Sequence, residues 1–543
     1  LLTLKFLKLY WKIVFALTWL LILIILLMNY NTSETRCAFV VLLLAGYWIT
    51  ECFPMAVTSI IPVVLFPAFG ILTSQEACGC YMNDTIMVFI GGLILAIAIE
   101  HSGLHLRIAL GVMKVVGCTH AKILGSLCVV TTLISMWITN TATTAMMVPI
   151  IFAILNQLEQ VLIIFILIFF FFFHSSAGLC EVYIEKITPE TAEPIYVGIG
   201  NRNKIKGSYF NKYYYDYDFL ILTYCRIQEP TNITKAYLLA AAYCSSIGGT
   251  GTLVGTGTNL TFKGIFESTF PLAEPITFTN WMIASIPQMI VNSFLTWIYL
   301  RIAFMGYLRP ESKDAVAATI GAEVCLQVID QRYKELGKMS FHELSVAILF
   351  VICVILWLFR KPGFVVGWAE YLTQMNFIDR DVRDSLPVIG ISVLMFYIPK
   401  DLNFLQSYSR DLFHFFRSPS LITWKLIESK MPWGLMFLLG GGFAISRATV
   451  ASGMAKMVGE AMKPLRYLPP ALVLLFVSFL IGLFTEFTAN VGVANITLPI
   501  VAQMCIAMDI HPLYLMVPTA IMCSYSFRLP VGTPPNAIIA MVG

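Results

Sequence analysis

Charge is what this chain has least of. Asp, Glu, Lys and Arg make up 12% of its 543 residues, about half of the ~25% found in an ordinary soluble domain. Hydrophobic residues reach 58% and mean hydropathy is +0.80. The basic excess is only +4 and is dispersed, which excludes the basic footprint of a nucleic-acid binder. No C-x-x-C occurs, and among the 13 cysteines only Cys78 and Cys80 lie close together. Neither a zinc site nor a disulfide framework is therefore indicated, and most cysteines read as small apolar packing residues. Phosphate-binding motifs are also missing. There is no G-x-x-x-x-G-K-[ST], and the glycines of 248–257 do not fit G-x-G-x-x-G.

What fills the chain instead is apolar sequence. Near-continuous stretches centre on 13–28, 36–50, 54–72, 85–99, 106–118, 123–155, 236–256, 280–307, 343–359, 385–399, 432–447, 468–504 and 509–527. Runs of roughly 20 apolar residues mark membrane-spanning helices. The chain thus reads as an all-α polytopic membrane protein. Lys5, Lys8 and Lys12 precede the first stretch and no small-residue cleavage site follows it, so it reads as a first membrane helix rather than a signal peptide. The chain starts at Leu1 without a methionine and stops at Gly543 inside an apolar segment; both ends are expected to be incomplete.

Two of the stretches are too long for one crossing and too polar at the centre. Ser135-Met136-Trp137-Ile138-Thr139-Asn140-Thr141 leads into a run ending Pro149-Ile150. Thr485-Glu486-Phe487-Thr488-Ala489-Asn490-Val491 leads into a run ending Pro499-Ile500, every counterpart lying 350 residues on. The same offset relates Gly91-Gly92 to Gly441-Gly442 and Ser102-Gly103 to Ser452-Gly453. Further on, Gly255-Thr256-Gly257-Thr258-Asn259 matches Gly532-Thr533-Pro534-Pro535-Asn536 at an offset of 277. Unpaired polar groups at membrane depth are costly, so such motifs belong at the protected tips of helix hairpins. The Gly-rich and Pro-rich runs read as helix breaks, which free carbonyls for a cation and amides for an anion. The bland alternative is polar and small-residue packing between helices; duplication in register favours a binding site made of two halves.

The surplus of 73 residues in the first half falls on about 159–232. There, Val161 to Phe173 is uniformly apolar and phenylalanine-rich, and a polar, tyrosine-rich stretch follows. The apolar piece reads either as an extra hydrophobic element or as translated non-coding sequence. Sparse charges at Glu51, Glu100, Arg107, Arg447 and Glu486 read as snorkelling helix ends or internal ion pairs. His101 and His105 show no metal-ligand spacing.

The residues 135–150, together with 246–259, Met339-Ser340-Phe341-His342-Glu343, 418–426, Met431-Pro432-Trp433-Gly434, 485–490 and 529–537, closely resemble the divalent anion/sodium symporter family, solute carrier family 13. The resemblance covers most of the chain outside about 159–232. It implies an inverted-repeat, elevator-type homodimer with two re-entrant helix hairpins and broken helices. The expected organisation is as follows: N-terminal scaffold helices in 1–83; a first repeat in 84–265 with a hairpin at 123–155 and a broken helix at 236–260; a scaffold helix at 280–308; a soluble loop at 309–341; scaffold helices in 342–400; and a second repeat in 431–543 with a hairpin at 468–504 and a broken helix at 509–540.

The family's Ser-Asn-Thr signatures carry over to Thr139, Asn140 and Thr141 and to Ala489, Asn490 and Val491, which with Thr258 and Pro535 form the expected substrate site. Sodium is expected at Ser135, Asn140, Gly248, Gly249 and Asn259 in one half, and at Thr485, Asn490, Gly532 and Asn536 in the other. The second half departs from the pattern: Ala489 and Val491 carry no hydroxyl, and Val493-Ala494 stand where sodium-coupled members often carry Thr-Thr. Segments 255–264 and 511–515 also look similar to invertebrate members described as cation-independent exchangers. The expected function is sodium-coupled transport of di- and tricarboxylates such as succinate and citrate across the plasma membrane. Small carboxylate anions and membrane lipid are the expected partners, Na+ the coupling ion, and no other cofactor, nucleic acid or enzymatic activity is expected. The alternatives are cation-independent exchange, a sulfate-type oxyanion substrate, or a non-transporting membrane protein.

Overall fold

The computed structural model describes residues 2–116, 119–153, 182–183, 198–199, 231–309, 322–363, 365–375, 382–401, 419–530 and 532–542. These are helical apart from one antiparallel pair, Val182–Tyr183 with Gly198–Ile199. That pair falls in the expected insertion and is the one regular exception to an all-α reading among the described residues. The phenylalanine-rich run lies outside them. Among the described residues, six helices are long and apolar enough to cross a membrane: Tyr10–Asn29, Ser74–Ser102, Phe278–Phe304, Phe341–Leu358, Trp433–Ala451 and Asn490–Met508.

The 350-residue offset is visible in the geometry. Asp84–Ser102 corresponds to Trp433–Ala451, and each ends at a glycine with positive φ, 78° at Gly103 and 81° at Gly453. A side chain there would be strained, so the two tight corners need glycine. The two helices run antiparallel. Glu100, near the end of the first, pairs with Lys430, just before the second; Glu76, just before the first, pairs with Arg447, near the end of the second. The shared Gly-Gly pairs let neighbours approach: a Cβ on Gly92 would sit 2.9 Å from Val254, and one on Gly441 2.9 Å from Ser59 O.

Each half then makes a helix–turn–helix pair. The first is His120–Ser135 followed by Asn140–Ala153, the second Pro470–Phe484 followed by Asn490–Met508. A broken helix follows in each: Asn232–Gly249 with Gly257–Thr269, and Pro512–Cys523 with Pro534–Val542. Starts are set by local chemistry. Thr119, Thr231 and Thr277 accept from the backbone N–H three residues on, the N-cap bond that satisfies an otherwise orphaned donor.

Three sequence expectations change. The 309–341 connector contains the helix Ala322–Glu335, whose Asp330 takes Lys114 at 2.5 Å and Lys334 at 2.6 Å. Those ammonium groups hold the Asp330 carboxyl down at about 2. Two short helices, Trp368–Gln374 and Trp424–Lys430, were not anticipated; at seven residues each they are too short to leave a clear hydrophobic period. The 54–72 stretch is broken into Met55–Thr58 and Ile61–Ala68 rather than continuous. Finally, a buried ionic cluster ties the first broken helix to its neighbours. Lys263 Nζ lies 2.9 Å from Asp384 and 3.5 Å from Glu267, and Arg360 Nε lies 2.6 Å from Asp384.

Candidate functional site: two half-sites at the helix breaks

The first half-site forms where the first hairpin tip meets the first break. Ser135 Oγ donates to Ser245 O at 2.6 Å and lies 2.9 Å from Asn140 Oδ1. One hydroxyl proton serves one strong acceptor. With the shorter bond taking it, Oγ and Oδ1 face each other as two oxygens, a pairing that suits a small hard cation. Asn259 fastens the break from inside, its Nδ2 donating to Gly249 O at 3.0 Å and Thr252 O at 2.7 Å. Its Oδ1 is buried without a hydrogen-bond partner, a state that costs free energy unless a ligand fills it. Glycine is required here. A Cβ on Gly249 would lie 2.4 Å from Asn140 Oδ1, and one on Gly248 2.3 Å from Thr132 O.

The second half-site repeats this pattern. Thr485 Oγ1 donates to Cys523 O at 2.6 Å and lies 3.0 Å from Asn490 Oδ1. Asn536 Nδ2 donates to Ser526 O at 2.8 Å and Leu529 O at 3.1 Å, each partner 277 residues beyond its counterpart. Ser526 Oγ and Thr533 Oγ1 are buried and unpartnered. A Cβ on Gly532 would meet Ser526 Cβ at 2.9 Å and Glu486 Oε2 at 3.2 Å.

The halves are joined. Thr258 Oγ1 and Ser524 Oγ share a hydrogen bond of 2.6 Å, and a Cβ on Gly257 would lie 2.8 Å from the buried Val491 side chain. The start of Gly257–Thr269 therefore touches both the second hairpin and the second break.

The candidate residues fall as follows. Ser135, Asn140, Gly248, Gly249 and Asn259 come together in the first half, and Thr485, Asn490, Gly532 and Asn536 in the second. Thr258 bridges the halves. Thr139 caps the helix starting at Asn140, accepting from Ala142 N at 3.4 Å, and Thr141 is exposed beside it. Ala489 precedes its helix with no side-chain cap, and Val491 contributes apolar packing rather than a donor. Pro535 is buried in the first turn after the second break.

Glu486 corrects its sequence reading. It is neither at a snorkelling end nor in an ion pair. It is 3% exposed and accepts from three consecutive amides: Phe527 N at 2.9 Å, Arg528 N at 3.0 Å and Leu529 N at 2.9 Å. Its counterpart in the first half is Met136, whose carbonyl accepts from Thr252 Oγ1 at 2.5 Å. Arg107 and Arg447, read as helix-end anchors, each pair with a glutamate, Glu343 and Glu76. Sequence reasoning missed Ser245, Thr252, Cys523, Ser524 and Ser526. Only the fixed spacing back from Asn259 and Asn536, seven and ten residues in both halves, could have pointed to some of them.

A predominantly helical membrane protein in which two related halves bring hairpin tips and broken helices together has the build seen in secondary transporters. Comparison with known proteins names the family. Residues 5–543 match the family model described as the sodium:sulfate symporter transmembrane region, and the chain belongs to that family. It is 42% identical over 538 residues to "Protein I'm not dead yet" of Drosophila melanogaster, covering 98% of this chain and 83% of that protein. It is 34% identical over 521 residues to the Na(+)/citrate cotransporter of Mus musculus, covering 94% and 85%. It is 35% identical over 531 residues to Na(+)/dicarboxylate cotransporter 3 of Homo sapiens, covering 93% and 82%.

Proposed function

We propose that this protein is a plasma-membrane secondary transporter of di- and tricarboxylates such as succinate and citrate, with Na+ as coupling ion. The observation that carries the reading is the repeated set of acceptor oxygens around each break, joined by the Thr258–Ser524 bond. In the first half, Ser135, Asn140, Asn259 and the Gly248–Gly249 backbone would hold a cation; in the second, Thr485, Asn490, Asn536 and the Gly532 backbone. The substrate's carboxylate would meet the helix N-termini at Asn140 and Asn490, each carrying about half a positive charge, with Thr139, Thr141, Thr258 and Pro535 around it. The cotransporters of citrate and dicarboxylate among its relatives support this substrate class. In this reading the tips belong to re-entrant hairpins, the repeats 84–265 and 431–543 form a moving unit of an elevator, and the remaining helices scaffold a homodimer.

A second reading, cation-independent exchange, has its own support. Ala489, Val491, Val493 and Ala494 carry no hydroxyl at the second tip, and Val491, Val493 and Ala494 are buried. The test is uptake of labelled succinate and citrate in sodium and in choline medium, with sulfate as competitor. Loss of uptake in choline is the expected result. Full uptake in choline would overturn sodium coupling and leave exchange. No uptake of either carboxylate in any medium would overturn the substrate class.

A further inference from the structure

The helix Phe278–Phe304 was expected to belong to a static scaffold, yet one of its faces is bonded to both half-sites. Trp281 Nε1 donates to Thr250 O at 3.0 Å, and Ser285 Oγ donates to Gly251 O at 3.0 Å. These are carbonyls freed by the first break. Seven residues beyond Trp281, Gln288 Nε2 donates to Tyr525 Oη at 2.5 Å, and Asn292 Nδ2 donates to the same oxygen at 3.0 Å. Tyr525 lies in the second break, between Ser524, which bonds Thr258, and Ser526, whose carbonyl holds Asn536. One residue further, Ser293 Oγ shares a 3.1 Å bond with Thr132 of the first hairpin.

Positions 281, 285, 288 and 292 recur at helical spacing and form one stripe, with Ser293 on the flank that faces the first hairpin. The backbone is cut to fit it. A Cβ on Gly251 would lie 2.5 Å from Met289 Sδ, and one on Gly125 3.2 Å from Trp297 Nε1. Met289, Met136 and Ile247 pack together in a small cluster against Tyr525 and Phe527, and the Tyr525 and Phe527 rings stack at 5.2 Å. The opposite face, with Ile283, Ile290 and Phe294, is apolar and more than half exposed.

We infer that Gln288, Asn292 and Tyr525 are positioning residues that hold the two breaks in register, with Phe278–Phe304 acting as a strut between them. Their hydrogen bonds run to neither the hairpin asparagines nor the residues assigned to substrate. They set where the second break sits relative to the first, and so set the affinity of a site assembled from both.

This inference rests on the transport reading for one arm of its test only. In the first arm, Tyr525→Phe removes the acceptor of both amides while keeping the ring stack. Carboxylate uptake is measured per surface transporter. The half-saturation concentration should rise about three- to tenfold, the order for two interhelical hydrogen bonds of average strength in a membrane, with maximal rate within about twofold. Gln288→Leu in the Tyr525→Phe background should add nothing, because both remove the same bond. Unchanged half-saturation, or multiplying effects in the double variant, would overturn the positioning role. The second arm needs no transport: hydrogen exchange on the purified full-length protein, wild type against Tyr525→Phe. Exchange should quicken at 524–530 and also at 250–256, the break at the far end of the strut. Quickening confined to 524–530 would overturn the strut. A wild-type protein that moves no carboxylate would refute the transport reading alone and leave this second arm to decide.

Discussion

Gly249→Ala is the sharpest probe of the first half-site. The added methyl would lie 2.4 Å from Asn140 Oδ1 and 3.1 Å from its Cγ and Nδ2. Ordinary non-bonded contacts need about 3.5 Å, so the carboxamide must retreat by roughly 1 Å. Asn140 then loses the 2.9 Å approach to Ser135 Oγ. Crowding of this kind costs about 1–3 kcal/mol, and the lost polar contact about 1 kcal/mol more. If Asn140 contributes a ligand oxygen, most of that ~2–4 kcal/mol appears in affinity, a weakening of roughly 30- to 1,000-fold. The assay is labelled carboxylate uptake across a sodium series, corrected for surface protein. Two controls separate site from stability. Gly440→Ala makes a similar clash, 2.3 Å from Tyr81 Cδ1, a residue outside both hairpins and both breaks, and Gly390→Ala meets nothing within 4 Å. The first control should lower thermal stability but leave half-saturation within about threefold, and the second should change neither. Normal half-saturation for both carboxylate and sodium in Gly249→Ala, at normal surface expression, would refute the assignment of Asn140.

Two further substitutions test how the surroundings are held. Glu486→Gln keeps the shape but weakens charge-assisted bonds from three amides; purified protein should lose about 2–3 kcal/mol of stability, and unchanged thermal unfolding would refute the structural role. Lys263→Met removes one of the two cationic partners of buried Asp384 and leaves Arg360 at 2.6 Å; losing one charge-assisted bond costs about 1.5–3 kcal/mol, so purified protein should melt at a lower temperature, and unchanged melting would sink the claim.

What the sequence made legible follows the chemistry of each feature. Hairpin tips and breaks were readable because Asn140, Asn490 and the Gly/Pro runs are anomalies in apolar surroundings, and because repetition at fixed offsets marks them twice. Helix Phe278–Phe304 was readable as a helix, but the partners of its polar stripe were not. That stripe of Ser285, Gln288 and Asn292 is ordinary interhelical glue until the partners on the two breaks are seen. The helix Ala322–Glu335 was hidden because a charged amphipathic helix and a polar loop have similar composition. Glu486 was misread because a lone acidic residue in an apolar run suggests a cationic side chain as partner, and no sequence pattern reveals a set of backbone amides.

The two halves share a plan and differ in how they pay for breaking a helix. Each break releases carbonyls on one side and amides on the other, and buried backbone groups must be satisfied. In both halves an asparagine, Asn259 or Asn536, takes up two of the carbonyls with its side-chain amide. The remainder diverges. The first break hands its carbonyls at Thr250 and Gly251 to Trp281 and Ser285, residues of a separate helix. The second turns its amides at 527–529 onto Glu486 of its own hairpin tip. The second half-site therefore carries a fixed carboxylate and a self-contained clamp between tip and break, whereas the first depends on an external strut for its shape. Motion of that strut would disturb the first half-site directly and reach the second only through Tyr525. The asymmetry first visible in Ala489 and Val491 is thus matched by an asymmetry of support, and the first half-site, richer in hydroxyls at its tip, is also the one whose geometry a neighbouring helix controls.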